Sequence, residues 1–179
     1  MHRLALPRML LVIVALTTAL AVVGTTTVFA ALIGRDGKAV TAVRTVVDNT
    51  YEATTSLSYA NVPSMTKTVS VPSGERGLLI ITFSATTYCA DAGTPASVYC
   101  FVRALVDGAP APPGEVIFDS AGAGANNGYQ LNVHSMQWVL GRVGSGQHTV
   151  TIQYRVDEND GTFSVYARSL TVLLSKQPL

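Results

Sequence analysis

The chain has 179 residues, with twelve Lys or Arg against eleven Asp or Glu and a formal net charge of +1. That length allows one domain with a real core and leaves little room for two. Hydrophobic residues make up 48% and charged residues 13%, which excludes disorder for the chain as a whole. The basic residues stand singly, so the charge pattern carries no footprint of a nucleic-acid or acidic-membrane partner.

Residues 1 to 8 contain Arg3 and Arg8 and no acid, and no charged residue occurs from Met9 to Gly34. This is the pattern of a hydrophobic N-terminal helix used for export. Its densest apolar stretch runs from Met9 to Val23. Val28-Phe29-Ala30 places small residues where a signal peptidase needs them, so cleavage is expected after Ala30, leaving residues 31–179 as a single β-domain. Removal of residues 1–30 takes two arginines with it and leaves ten basic against eleven acidic residues, or −1. The competing reading is an uncleaved anchor, because residues 9–34 are long enough to span a bilayer. Either way the rest of the chain is expected outside the cytoplasm, secreted or held at the cell surface.

Beyond this segment, Ala39 to Val47 and Thr54 to Tyr59 are weak strand candidates. Val69 and Val71 alternate before the turn Pro72-Ser73-Gly74, and Leu78 to Phe83 is an apolar run. Cys89 and Cys100, the only cysteines, flank a Gly/Pro/Asp/Ser loop. In an exported chain they are expected to form a disulfide that staples a long hairpin loop, with a redox role disfavoured because no C-x-x-C is present. Phe101 to Val106 ends in Asp107-Gly108, a strong turn signal. The three prolines of Ala109 to Gly114 predict a stiff loop. Val116 to Phe118 is a short edge or partner strand, and Ser120 to Gly128 a Gly/Ala/Asn loop. In the strand from Tyr129 to Leu140, Leu131 and Val133 lie on one face and His134, Met136 and Trp138 on the other.

The strongest alternation is Val150, Ile152, Tyr154 and Val156, which predicts a half-buried strand. After the polar turn at Asp157 to Gly161, Phe163, Val165 and Ala167 continue on odd numbers, whereas Leu170, Val172 and Leu174 are even. A β-bulge near Arg168-Ser169 accounts for the switch. Val71-Pro72-Ser73-Gly74 echoes Val143-Gly144-Ser145-Gly146, which predicts two similar corners. About eight or nine strands without helix periodicity predict an all-β fold, an antiparallel, jelly-roll-like β-sandwich.

The runs Thr68 to Gly74, Gly77 to Ala85, Ala104 to Gly108, His134-Ser135-Met136 and Gly146 to Ile152 resemble motifs of uncharacterised secreted bacterial β-sandwich domains. At the level of architecture the pattern is similar to the C1q and tumour-necrosis-factor jelly rolls. That resemblance implies a binding domain, often a trimer, and carries no catalytic residue.

The residues themselves leave three function classes open. His134 is the candidate base of a hydrolase, although no G-x-S-x-G elbow is present, and a partly buried strand histidine is the plainer reading. His148 reads as an exposed structural residue on a polar face. Trp138, His134 and Tyr129 are candidate ligand-binding residues of a carbohydrate-binding module with exposed aromatics. Asp157, Asn159 and Asp160 supply oxygen ligands for calcium, but a solvated turn explains them as well. The overall expectation is a non-catalytic binding or assembly domain without a cofactor, its partner a glycan, a protein or a second copy of itself.

Overall fold

The computed structural model describes residues 39–90, 97–122, 131–158 and 161–177. The expected targeting helix, cleavage point and anchor fall at residues 1–38, outside these, as do Tyr129, Asn159 and Asp160. Among the described residues all regular structure is strand: β1 Val40–Asp48, β2 Glu52–Thr54, β3 Ala60–Val71, β4 Arg76–Ala90, β5 Val98–Val106, β6 Ala109–Pro110, β7 Val116–Ala121, β8 Asn132–Val143, β9 Gly146–Val156 and β10 Thr162–Gln177. The count is ten rather than eight or nine. The two additional strands are the short β2 and β6, which extend sheet edges and carry no periodicity of their own.

Two antiparallel sheets form a sandwich. Sheet I has the order β1-β10-β4-β8, with β2 continuing the β1 edge along β10. Sheet II has the order β3-β9-β5, and β6 and β7 share the far edge of β5. The chain changes sheet between β2 and β3, β3 and β4, β4 and β5, β7 and β8, β8 and β9, and β9 and β10, so consecutive strands usually lie in different sheets. The core is built from the expected alternation. Val150, Ile152, Tyr154 and Val156 of β9 and Leu170, Val172 and Leu174 of β10 are all buried.

Four local expectations are corrected. β10 does bulge, but at Tyr166 and Ala167: both fail to face the core, Ala167 has φ 38°, and the register slips between Tyr166 and Ser169. Arg168 therefore points inward, one residue earlier than expected, and is fully buried. Residues 55–59, expected in a strand, make the crossing between sheets. β7 runs on to Ala121, where a loop was expected from Ser120. β3 begins nine residues before Val69; Pro63, Ser64 at φ 65° and a register shift between Asn61 and Thr66 break its alternation.

The echoed corners are neighbours. The β3–β4 and β8–β9 turns lie at the same end of the sandwich, and Gly77 pairs with Val143. A Cβ on Gly77 would stand 2.6 Å from Leu174 Cδ1 and 3.0 Å from Val71 Cγ2, so the chain passes between the corners at a position with no room for a side chain. Cys89 and Cys100 are bonded, with Cα atoms 6.0 Å apart. Cys89 lies on β4 of sheet I and Cys100 on β5 of sheet II, so the bond is not a hairpin staple but a link between the sheets at the end opposite the corners.

Candidate functional site

The outer face of sheet II carries a cluster of aromatic and charged side chains. On β5, Val98, Cys100, Val102 and Ala104 point into the core, which turns Tyr99, Phe101 and Arg103 outward. On β9 the same alternation turns Gln153 and Arg155 outward, and the register places Phe101 beside Arg155 and Arg103 beside Gln153. Asn61 of β3 completes the second of these rows and Ile117 of β7 the first. Tyr59, just before β3, lies over the pair of arginines.

The Arg103 guanidinium stacks on the Tyr59 ring at 3.7 Å from its centroid, and Arg155 covers the Phe101 ring at 4.3 Å. Arg103 donates from Nε and Nη2 to Gln153 Oε1 at 2.9 and 2.8 Å, and Gln153 donates in turn to Asn61 Oδ1 at 2.9 Å. Glu115 joins from the loop before β7: its Oε2 accepts from the Tyr59 hydroxyl and from Arg155 Nη2, the latter at 3.2 Å. These bonds, that from Tyr59 foremost, lower the Glu115 pKa. Burial and the Glu115 bond raise that of Tyr59, so the phenol stays a donor. Burial alone would lower Arg155, but its bonds to Tyr59 and Glu115 outweigh this and raise it. The cluster thus holds two fixed cations and one anion. Tyr99 and Ile117, 40% and 58% exposed, give it an apolar margin open to solvent.

Of the residues singled out in the sequence, Trp138 and His134 lie elsewhere, on β8. Trp138 is fully buried and donates from Nε1 to the Gly114 carbonyl at 2.8 Å, so its indole presents no face to a ligand. His134 sits on β8 at the gap between the sheets, half-exposed, with Nε2 3.6 Å from Asp119 Oδ1 and no hydrogen bond to that nitrogen. Asp119 is satisfied by others: Thr87 Oγ1 at 2.7 Å, the Ser120 amide at 2.8 Å and Asn132 Nδ2 at 3.4 Å. No serine hydroxyl bonds His134 among the described residues, and its neighbour Ser135 is engaged with Ser84 at 2.8 Å. A nucleophile triad is not assembled there. Asp157 accepts from the Tyr99 amide at 2.7 Å, which holds the start of β5 against the end of β9. Among the described residues no group of three or more His, Cys, Asp or Glu could hold a metal ion.

Sequence reasoning missed the Tyr59, Arg103 and Arg155 cluster. The signal available was the alternation of β5 itself, whose odd positions read Tyr, Phe, Arg, but the pairing that brings β9 and Tyr59 alongside is a property of the register. Arg168 was missed for a similar reason, since nothing local announces a buried cation within an apolar strand.

No protein-family model matches the chain, and no curated protein matches it. Among solved structures, the C-terminal domain of EclA, a sugar-binding protein, is 11% identical at a TM-score of 0.35, over 68% of this chain and 77% of that one. The CBM36-1 domain of a multidomain xylanase from the hindgut metagenome of Trinervitermes trinervoides is 10% identical at a TM-score of 0.34, over 73% and 96%. Dimeric latent PorU from Porphyromonas gingivalis is 10% identical at 0.35, over 79% of this chain and 14% of that one. Scores of this size carry no conclusion about the fold or ligand of this chain, which rest on its own geometry.

Proposed function

We propose that this chain is an exported, non-catalytic binding domain that takes a glycan on the outer face of sheet II, with a preference for sugars bearing an acidic group. The observation that carries the reading is the outward row Tyr99, Phe101, Arg103 with Tyr59, Gln153 and Glu115 around it. A sugar presents an apolar ring face and pairs of hydroxyls at its rim. Tyr99 and Ile117 offer the surface for the first, and the planar groups of Gln153, Asn61 and Glu115 offer paired partners for the second. The excess guanidinium favours a carboxylate or sulfate on the ligand. Tight mutual bonding fixes the side chains in advance, so little entropy is lost on binding.

Export is supported by the uncharged run of residues 9–34 and by a disulfide that would not persist in a reducing cytosol. The order β1-β10-β4-β8 facing β3-β9-β5-β7 supports a jelly roll, the architecture that the resemblance to C1q and tumour necrosis factor implies. Binding of oligogalacturonate and of a neutral oligosaccharide of equal length, followed by calorimetry, tests the ligand class. The acidic ligand is expected to bind more tightly, and Tyr99→Ala or Arg103→Ala to weaken it about tenfold or more. Unchanged affinity in both variants, or no binding of either sugar, sinks the reading.

A further inference from the structure

The middle of the outer face of sheet I is free of charge. Between the Ser175–Leu78 pair at one end and the Tyr166–Thr86 pair at the other, every outward position of β1, β10, β4 and β8 is apolar, hydroxylic or an amide. Of the charged residues of these strands, Arg76 and Arg142 stand at the Leu78 end of that span, and Arg44, Asp48 and Arg168 fall on the opposite parity. The register aligns Val43, Leu173, Ile80 and Val139 in one straight apolar row across four strands. The next row is Thr45, Thr171, Thr82 and Gln137. Its polar groups already bond one another, Thr45 to Thr171 at 3.2 Å and Gln137 to Thr82 at 3.4 Å. Drying such a face strands few donors, so covering it costs little.

We infer that this face is a dimer interface, and that its partner is a second copy of the chain packed sheet I to sheet I. A charged partner finds no counter-charge here, whereas a second copy brings the same uncharged rows. A two-fold axis parallel to the strands, running between β10 and β4, lays each row on its own counterpart. Leu173 then opposes Ile80, and Val43 opposes Val139 of the other copy. Four strands about 4.8 Å apart and some nine residues long give a footprint of roughly 500 Å² per partner. Both copies together thus bury about 1,000 Å², the size at which specific interfaces begin. The resulting stack of four sheets leaves the two outer faces of sheet II pointing away from each other, about 30 Å apart. If those faces carry the glycan sites proposed above, the dimer bridges two glycan chains; the dimer itself does not depend on that reading.

Sedimentation equilibrium of the full chain in a density-matched non-ionic detergent tests the interface. Val43 and Val139, 52% and 44% exposed, lie on edge strands where substitution spares the core. The wild type is expected to be a dimer at about 100 µM, and Val43→Lys or Val139→Asp alone to weaken it about tenfold or more. An equimolar mixture of the two variants places lysine against aspartate across one contact and recovers dimer. Thr68→Arg, on the outer face of sheet II, leaves association as it is. A monomeric wild type, a trimer, either single variant associating like the wild type, or no recovery on mixing overturns the proposal.

Discussion

His148 faces two acceptors at once, Nε2 against the Gly144 carbonyl at 2.9 Å and Nδ1 against Asp107 Oδ2 at 2.7 Å. A carbonyl accepts only, so Nε2 must carry a proton, and the carboxylate is best met by a second proton on Nδ1. It sits on the inward parity of β9 at the rim of the sandwich, not on the polar face expected of it. Burial alone would lower its pKa, but the bonds to Asp107 and Gly144 prevail and raise it above 6.5. A raised folded value stabilises the fold fully below pH about 6.5, and that contribution disappears as pH rises through the folded value. Tm is therefore expected to fall on going from pH 6 to pH 9, and to fall less in His148→Asn; an imidazole titration by NMR below 6.5 contradicts this. Asp48 behaves in the opposite sense. Thr50 amide and hydroxyl bonds, then Ser64 and Arg168, hold it at about 2. Its contribution is present above pH about 4 and is lost as pH falls towards 2, a loss that Asp48→Asn should abolish in an acid unfolding curve.

Arg168 shows what the sequence does not disclose at this scale. Its guanidinium, wholly buried, donates to the Thr50 carbonyl at 2.6 Å, to Asp48 Oδ2 at 3.0 Å and to the Pro63 carbonyl at 3.2 Å. It thereby ties β10 to the β1–β2 link and to the bulge of β3 in the other sheet. Arg168→Met keeps the volume and strands those acceptors, so a loss of about 3 kcal/mol is expected in urea unfolding. A loss below about 0.5 kcal/mol means that the residue is no keystone.

At the scale of elements, β9 and most of β10 were legible because one face of each is buried without interruption, and period two survives only under that condition. β3 was not, because Pro63 and the left-handed Ser64 shift its parity in mid-strand. The disulfide pair was legible as a pair and misread as a staple, since spacing cannot say whether successive strands share a sheet. Because the ring is short, reduction or Cys89→Ala with Cys100→Ala is expected to cost about 3 kcal/mol at most, measured by the urea midpoint. The paired corners make a sharper case. Gly77→Ala drives a methyl group against Leu174 and Val71, both confined in the core, and should destabilise by about 1–3 kcal/mol. An unchanged midpoint would show that the corners can part freely.

For the whole molecule, two faces divide the surface chemistry. Sheet II carries one cluster of aromatic and charged groups, and the middle rows of the outer face of sheet I are uncharged across four strands. Alternation in the sequence marks which residues face outward, but only the strand order decides which of them become neighbours. That is why the fold class could be read from the chain while the candidate site could not. Trp138, the residue most suited by type to bind a sugar, serves instead to close the core against Gly114.

The Cys89–Cys100 bond also gives folding a place. It joins the two sheets at the end where β4 crosses to β5 and β9 crosses to β10, while the opposite end is held by the corners around Gly77. Where that bond is reduced, the sheets are held at this end by packing and by the chain crossings alone, so the loss falls on one end of the sandwich and leaves the other untouched.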